Sequence, residues 1–405
     1  MKKNIWIINQ YTGSPYYGMN YRSYYLAKEL IQNEYSVTIF AGSYSHLFTN
    51  LPKSKGTFTP ENIEGIDYIW VKTPKYKSSK SIARVFNMLV FMFRLLSFGV
   101  RSIKKPDIII ISSLSLFPII NAYMWSKIFK IEFILEVRDL WPLSLIEVGG
   151  FSKYHPLVLL LGWFEKFGYK KAKHVVSLLP NSMNYMQSRG METQKFKYIP
   201  NGINLQEVQN YQDIDAKTLK SIPNDKFIVG YLGTIGIANA LEYFLEAAEI
   251  LKENHSIHFV LVGKGGEKSR FEQFCKDKKL SNVTFIDPIA KIQVQGMLGE
   301  FDLCYIGWHK EKMYEYGISA NKIFDYMYSQ KPILHSISID NDIVESSGSG
   351  LRIEAENSIL IAESILALSS MSNEELSIMG ANAKEYVLKY HTYEALGKRY
   401  MELLD

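Results

Sequence analysis

The stretch "FIVGYLGTIGIANALEYFLEAAEIL", residues 227–251, decides the fold. It opens with a short apolar, β-branched run of strand length. Gly233 and Gly236 then leave a bare loop, and an amphipathic segment of helix length follows. Strand, glycine loop and helix are the repeating half of an α/β unit, and the same half recurs on both sides. Upstream lie "IWIIN", "SVTIFAG", "IDYIWVK", "DIIIISS", "IEFILEV" and "HVVSLL". Downstream lie "HFVLVG", "VTFID", "LCYIGW" and "KPILHS". Such alternation predicts α/β architecture with two parallel sheets, each covered by helices on both faces.

The two series are separated by "YIPNGINLQEVQNYQDIDAKTLKSIPNDK", where Pro200, Asn201 and Gly202 punctuate a turn and the apolar period fades. A linker is therefore expected near residues 203–225. The expected division is an N-terminal Rossmann-like domain over 1–202 and a C-terminal one over 203–387. The tail, about 388–405, is helical in pattern and is expected to return to the first domain. Length agrees, since 405 residues at about 150 per domain make two or three units. No internal repeat of 20–50 residues stands out.

Composition excludes several classes. With 47% hydrophobic and 21% charged residues the chain is not disordered. Cys275 and Cys304 supply neither a disulfide framework nor a metal spacing, which fits a reducing cytoplasm. The uncharged stretch 108–126 raises the question of a membrane span, but Ile108–Ile111, two serines and then Pro118 predict strand, loop and helix. "MKKNIWIINQ" has too short an apolar run for a signal peptide and predicts a first strand.

The net charge of +5 is unevenly spread: Lys72, Lys75, Lys77, Lys80, Arg84, Arg94, Arg101, Lys104 and Lys105 fall close together. Within them, "SIARVFNMLVFMFRLLSFGVRSIKK", residues 81–105, interleaves cations with Phe, Met, Leu and Val on a helical pattern. That mixture suits the surface of an anionic membrane. No nucleic-acid partner is expected.

In open parallel sheets, ligands sit beyond the carboxyl ends of the strands. Three loops there are candidates for an anion. Gly18, ahead of the first helix, lets a phosphate approach backbone amides. Gly233 and Thr234 open the loop of the stretch quoted above. The third is "EYGISANKIFDYMYSQKPIL", residues 315–334, where Ser319 is the expected N-cap and the amides of Ala320, Asn321 and Lys322 point outward at the positive end of a helix dipole. Lys322 adds a cation for a diphosphate, and Asp325, one turn on, can accept hydrogen bonds from two sugar hydroxyls.

The order "YIPNGIN", "GYLGTIG", "VLVGKGG", "VTFIDPIAKIQVQGML", "DLCYIGW" and "NKIFDYMYSQKPIL" resembles the second domain of the retaining GT-B glycosyltransferases of family four. "EVRDLWPLSL" resembles a bacterial surface-polysaccharide subgroup that includes N-acetyl-L-fucosamine transferases of O-antigen and capsule assembly. The resemblance implies two Rossmann-like domains facing each other across a cleft that holds a nucleotide sugar, UDP-linked in this reading, and no cofactor or metal. It rests the base against Pro288, Ile289 and Ala290 and gives the ribose to Asp325, the second acid of a paired-acid motif. The first acid falls on Gly317. Two basic positions after the glycine loop fall on Thr234 and Ala240, so their charge must come from elsewhere: Lys322, the loop amides or Arg138. The family's first-domain His falls on or beside Arg138, which implies that Arg138 and Asp139 face the reacting sugar.

The expected reaction is retaining transfer of an N-acetylated or deoxy sugar to an acceptor linked to undecaprenyl diphosphate, by an enzyme lying on the inner face of the bacterial plasma membrane. Tyr16, Tyr17 and Tyr21 are expected near the acceptor. Asp213, Asp215, Asp340 and Asp342 are the only Asp-x-Asp pairs and read as exposed surface turns rather than a metal site. Two further classes compete, a sugar-nucleotide epimerase and a non-catalytic scaffold of a polysaccharide assembly complex. A dinucleotide oxidoreductase is disfavoured because "NQYTGSPYYGMN" lacks Gly-x-Gly-x-x-Gly.

Overall fold

The computed structural model describes residues 3–18, 20–77 and 81–404. Met1, Lys2, Met19, Ser78, Ser79, Asp405 and Lys80 of the basic stretch lie outside the described residues. The chain divides into two compact units, residues 1–201 with 393–405, and residues 202–392.

The first unit carries strands β1 (Asn4–Ile8), β2 (Ser36–Gly42), β3 (Phe58–Ile63), β4 (Ile66–Val71), β5 (Ile108–Ser112), β6 (Glu132–Val137), β7 (His174–Ser177) and β8 (Phe196–Tyr198). They form one sheet in the order β3-β4-β2-β1-β5-β6-β7-β8, parallel except for the β3–β4 pair. Its helices are α1 (Arg22–Gln32), α2 (Ile82–Leu96), α3 (Ile119–Phe129), α4 (Leu143–Glu147), α5 (Pro156–Lys171) and α6 (Met183–Ser188). At the sheet centre Ile7 pairs with Ile110 and Ile110 with Ile134. Every residue of β1 and β5 is buried, as a sheet covered on both faces requires. The uncharged 108–126 segment is thus β5, a loop and most of α3. Among the described residues no helix is long and apolar enough to cross a membrane.

Strand β3 was not foreseen. It is a partly exposed edge strand with Pro60 inside it, and it reaches β4 through Glu64 and Gly65, both at positive φ, the turn that two-residue hairpins prefer.

The second unit opens where a linker was expected. Residues 203–225 instead hold α7 (Leu205–Gln209) and α8 (Ala216–Leu219), capped by the side chains of Asn204 and Asp215, and Val208 and Ile222 are buried. Then follow β9 (Phe227–Leu232), α9 (Leu241–Ile250), β10 (Ile257–Val262), α10 (Lys268–Asp277), β11 (Val283–Ile286), α11 (Val294–Gly299), β12 (Leu303–Gly307), α12 (Asn321–Tyr328), β13 (Ile333–Ser336), α13 (Ile343–Ser347), β14 (Gly350–Ile353), α14 (Ser358–Ser369) and α15 (Asn373–Tyr390). The sheet is parallel throughout, in the order β11-β10-β9-β12-β13-β14.

One core lies between this sheet and α9 and α14, including Phe244 stacked on Tyr305 at 4.2 Å. The other lies beneath α12 and α15, with Phe324, Met327 and Val387 buried. The last helix, α16 (Tyr393–Met401), packs on α1, with Tyr393 against Tyr25 at 4.8 Å. The return begins at Tyr393 rather than near 388, because α15 runs to Tyr390 with Val387 in the second unit's core.

Candidate functional site

The glycine loop after β9 and the first turn of α12 meet inside the second unit. The Lys322 ammonium donates to the Tyr231 hydroxyl at 2.8 Å and to Asn239 Oδ1 at 2.6 Å. Both partners donate onward to the Thr234 carbonyl, Tyr231 at 2.7 Å and Asn239 Nδ2 at 2.9 Å. The four residues close a ring that fixes the ammonium against the loop. Gly233 makes room for it, since a Cβ there would stand 3.1 Å from Lys322 Nζ. The Tyr231 ring lies under the cation at 4.5 Å and the Trp308 ring at 5.9 Å.

Lys322 forms no ion pair among the described residues. Burial alone lowers its pKa to about 7. An ammonium has three donors and the ring uses two. The third is open to a ligand. Asp325 is its counterpart. Its carboxyl has no hydrogen bond or ion pair among the described residues, and burial raises it to about 6, which Lys291 opposes and Glu207 reinforces. Although three residues apart on one helix, the two do not pair. Each keeps some surface open to solvent.

The expected cap of this helix needs correction. The N-cap is Ala320, not Ser319, and no side chain caps it. Ser319 stands one residue too early because Gly317 takes φ 94° and ends a short 3-10 helix, Lys312–Tyr316, before the chain enters α12. The first amides of α12 therefore lack an intrahelical acceptor, as at every helix start. Pro288, Ile289 and Ala290 follow β11, Pro288 and Ala290 exposed and Ile289 against the core. Thr234 is exposed, and its carbonyl rather than its hydroxyl serves the site. Ala240, at left-handed φ 45°, is buried at the start of α9.

Tyr231, Asn239, Trp308 and His335 escaped the sequence reading, and Asp342 was misplaced by it. Trp308 Nε1 donates to His335 Nε2 at 3.0 Å, and His335 Nδ1 lies 2.7 Å from Asp342 Oδ2. An indole N–H can only donate, so the imidazole proton sits on Nδ1 and is given to Asp342. Asp342 was expected on an exposed turn. It is 1% exposed, and its other oxygen caps α13 through the amides of Val344 and Glu345. Burial would raise its carboxyl, but His335 and those amides hold it below its ordinary value.

In the first unit, Arg138 Nη1 donates to Asn20 Oδ1 at 2.5 Å, and its amide donates to Ser113 Oγ at 3.2 Å. Burial lowers the Arg138 guanidinium, Glu136 raises it and Arg22 lowers it again. Asp139 Oδ1 accepts from the Leu140 amide and the Ser144 hydroxyl, both at 2.8 Å, which ties down its own loop. Gly18 does take left-handed φ 80°, but its amide already donates to Ser14 O at 2.8 Å and it precedes the first residue of α1 by four positions. It therefore offers no free amide at a helix start. Tyr17 donates to Glu61 at 2.7 Å beside an open groove of about 720 Å³ that Tyr16, Lys53 and Lys55 also line.

A model described as "Glycosyl transferase 4-like domain" matches residues 17–202, and one described as "Glycosyl transferases group 1" matches residues 226–371. The chain is 28% identical over 186 residues to the glycosyl transferase WcaI of Escherichia coli, named for colanic acid biosynthesis, covering 45% of this chain and 46% of that one. It is 24% identical over 186 residues to the poly(ribitol-phosphate) α-N-acetylglucosaminyltransferase of Staphylococcus aureus, covering 44% and 35%. These matches span less than half of either relative.

Among solved structures, sucrose-phosphate synthase of Thermosynechococcus elongatus superposes with a TM-score of 0.76 at 16% identity, over 99% of this chain and 98% of that one. Anabaena HepE, solved with UDP-glucose, gives 0.66 at 13%, over 100% and 99%. A glycosyltransferase model thus matches each of the two units, and the fold over the whole chain is the two-domain GT-B fold.

Proposed function

We propose that the protein transfers a sugar, with retention at the anomeric carbon, from a UDP-sugar to a lipid-linked saccharide in the assembly of a bacterial surface polysaccharide. The observation that carries this is the Lys322 ammonium, desolvated against the glycine loop with one donor open and no carboxylate paired to it. A buried cation without a counter-ion is a site for an anion. The first amides of α12 favour the same charge. Asp325, one turn on, then accepts the two ribose hydroxyls, and the base lies along Pro288, Ile289 and Ala290. HepE, solved with UDP-glucose, supports a uridine nucleotide. The colanic acid in WcaI's name supports a surface polysaccharide, and the Staphylococcus relative, named for N-acetylglucosamine and an α product, supports an N-acetylated sugar and retention.

In this mechanism the diphosphate leaves against Lys322, and one of its oxygens takes the proton of the attacking hydroxyl on the same face. The protein's work is to stabilise charge on the leaving group and to hold the acceptor close. Arg138 is assigned to the reacting sugar. Asp139 holds the loop that presents it, and any contact of its own with the sugar belongs to the same proposal. No metal is required, so turnover persists in excess EDTA. The acceptor is a sugar on undecaprenyl diphosphate, met at the inner face of the plasma membrane.

The test is a thermal-shift screen of UDP, GDP and NAD, followed by UDP release with a UDP-sugar panel and lipid acceptor. UDP at 100 times its dissociation constant should stabilise the fold by about 2.7 kcal/mol. Stabilisation by NAD alone would overturn the reading. UDP-sugar consumed without any acceptor would indicate an epimerase, and UDP binding without release would indicate a scaffold.

A further inference from the structure

Helices α3 and α5 lie side by side in the first unit and carry a ladder of rings and ammonium groups on their outer surfaces. Trp163 stacks on Phe167 at 5.4 Å, Phe167 meets Tyr123 edge-on at 5.0 Å, and Lys127 and Lys171 stand over the Tyr123 ring at 5.4 and 5.8 Å. Beside the ladder, Leu159 is 57% exposed, Trp163 52% and Ile128 49%. On α5 the outward positions 159, 160, 163, 166, 167 and 170 follow helical spacing, so they form one face, apolar toward the N-terminus and basic toward the C-terminus.

What seats on that face is set by charge. The sequence of α3 contains no acidic residue, and the one acid of α5, Glu165, is buried and paired with Arg189 at 2.8 Å. Lys127, Lys166, Lys170 and Lys171 are exposed and have no ion-pair partner among the described residues. The contrast is α15, whose exposed Ile378 and Leu388 share a helix with Glu374, Glu375 and Glu385 and would meet repulsion from an anionic surface. Apolar and aromatic side chains flanked by unpaired lysines match a bilayer boundary, where rings sit at headgroup depth and lysines are drawn to the anionic surface.

We propose that the outward faces of α3 and α5 dock on an anionic bilayer, with Leu159, Leu160 and Trp163 entering the headgroup boundary and Lys127, Lys166, Lys170 and Lys171 meeting lipid phosphates. This adds a second contact to residues 81–105, where Ile82, Phe86 and Phe93 are also exposed. It rests on the lipid-acceptor reading above but is tested without donor or acceptor.

The test is flotation with phosphatidylglycerol and phosphatidylcholine vesicles. Wild type should float with the anionic vesicles and stay in solution with the neutral ones. L160S/W163S and K127E/K170E/K171E should each bind at least tenfold more weakly, with unchanged circular dichroism and unchanged stabilisation by UDP. Retained UDP stabilisation separates a failure here from a failure of the nucleotide site. The proposal is overturned if wild type stays soluble with anionic vesicles, or if both variants float like wild type. It is equally overturned if wild type is a dimer in solution that L160S/W163S makes monomeric, because the face then belongs to a second copy. Should a variant lose its fold, the single change Trp163→Ser decides in its place.

Discussion

Lys322 and Asp325 are held in opposite departures from their ordinary states, and a nucleotide sugar would relieve both. Burial lowers Lys322 to about 7 and raises Asp325 to about 6. A diphosphate favours the ammonium, and ribose hydroxyls favour the carboxylate. Affinity for a UDP-sugar should therefore peak between about pH 6 and 7. Above that it should weaken toward tenfold per pH unit as Lys322 loses its proton, and below it as Asp325 gains one. Calorimetric titration from pH 5 to 8.5 checks this; a flat profile would remove Lys322 from the diphosphate site.

Without ligand both groups weaken the fold. The Lys322 penalty is full below about pH 7 and fades as pH rises toward the ordinary lysine value, while the Asp325 penalty is absent at low pH and complete above about 6. Lys322→Ala and Asp325→Ala should each reduce donor affinity or turnover at least tenfold, about 1.4 kcal/mol, by steady-state kinetics. These two residues were legible because a lysine and an acid at a helix start announce themselves. Tyr231 and Asn239 were not, because only folding brings the loop after β9 onto α12.

Between elements, the chain Asp342–His335–Trp308 joins the start of α13 to β13 and to the ring beside Lys322. Asp342→Ala removes a helix cap and leaves a buried imidazole N–H unmatched. Caps are worth about 1 kcal/mol and an unsatisfied buried donor about 1–3, so a loss of roughly 2–4 kcal/mol is expected. Urea denaturation measures it, with the exposed Asp340→Ala as the control, expected within about 0.5 kcal/mol. A loss no larger than the control's would show that the pair is ornamental to the fold. The sequence pattern found strands that carry a run of apolar residues, whether fully buried like β5 and β12 or half-buried like β11. It missed β3, β8 and β14, whose residues are mostly half-buried and short in apolar run. Asp342 was misplaced for a related reason: an acid among polar residues looks exposed until its imidazole partner, seven positions away, is seen.

For the whole molecule, one buried guanidinium joins the places where the chain leaves and re-enters the first unit. Arg22 donates to Ile199 O at 2.8 Å and to Pro200 O just before the boundary, and its Nε pairs with Glu136 at 2.9 Å. Glu136 also accepts from Tyr400 on the returning helix. Burial would raise the Glu136 carboxyl, but Arg22 and Arg138 hold it below its ordinary value, so its contribution is present near neutrality and lost as pH falls. Around this network Tyr393, Leu396, Tyr400, Leu403 and Leu404 are all buried in the first unit's core. At about 1.5–3 kcal/mol each, these five side chains contribute roughly 8–15 kcal/mol, comparable to the entire stability of a domain. Among the described residues, the second unit's two cores include nothing from beyond residue 392. A chain ending at Thr392 should therefore lose the first unit and keep the second, so that limited proteolysis leaves a resistant fragment near residues 202–392. Glu136→Ala in the full chain, which strands Arg22 as a buried unpaired charge, should cost about 3–5 kcal/mol of the same unit's stability. If the shortened chain resists protease over residues 3–201 as well, the returning helix is an accessory to the first unit rather than part of its core.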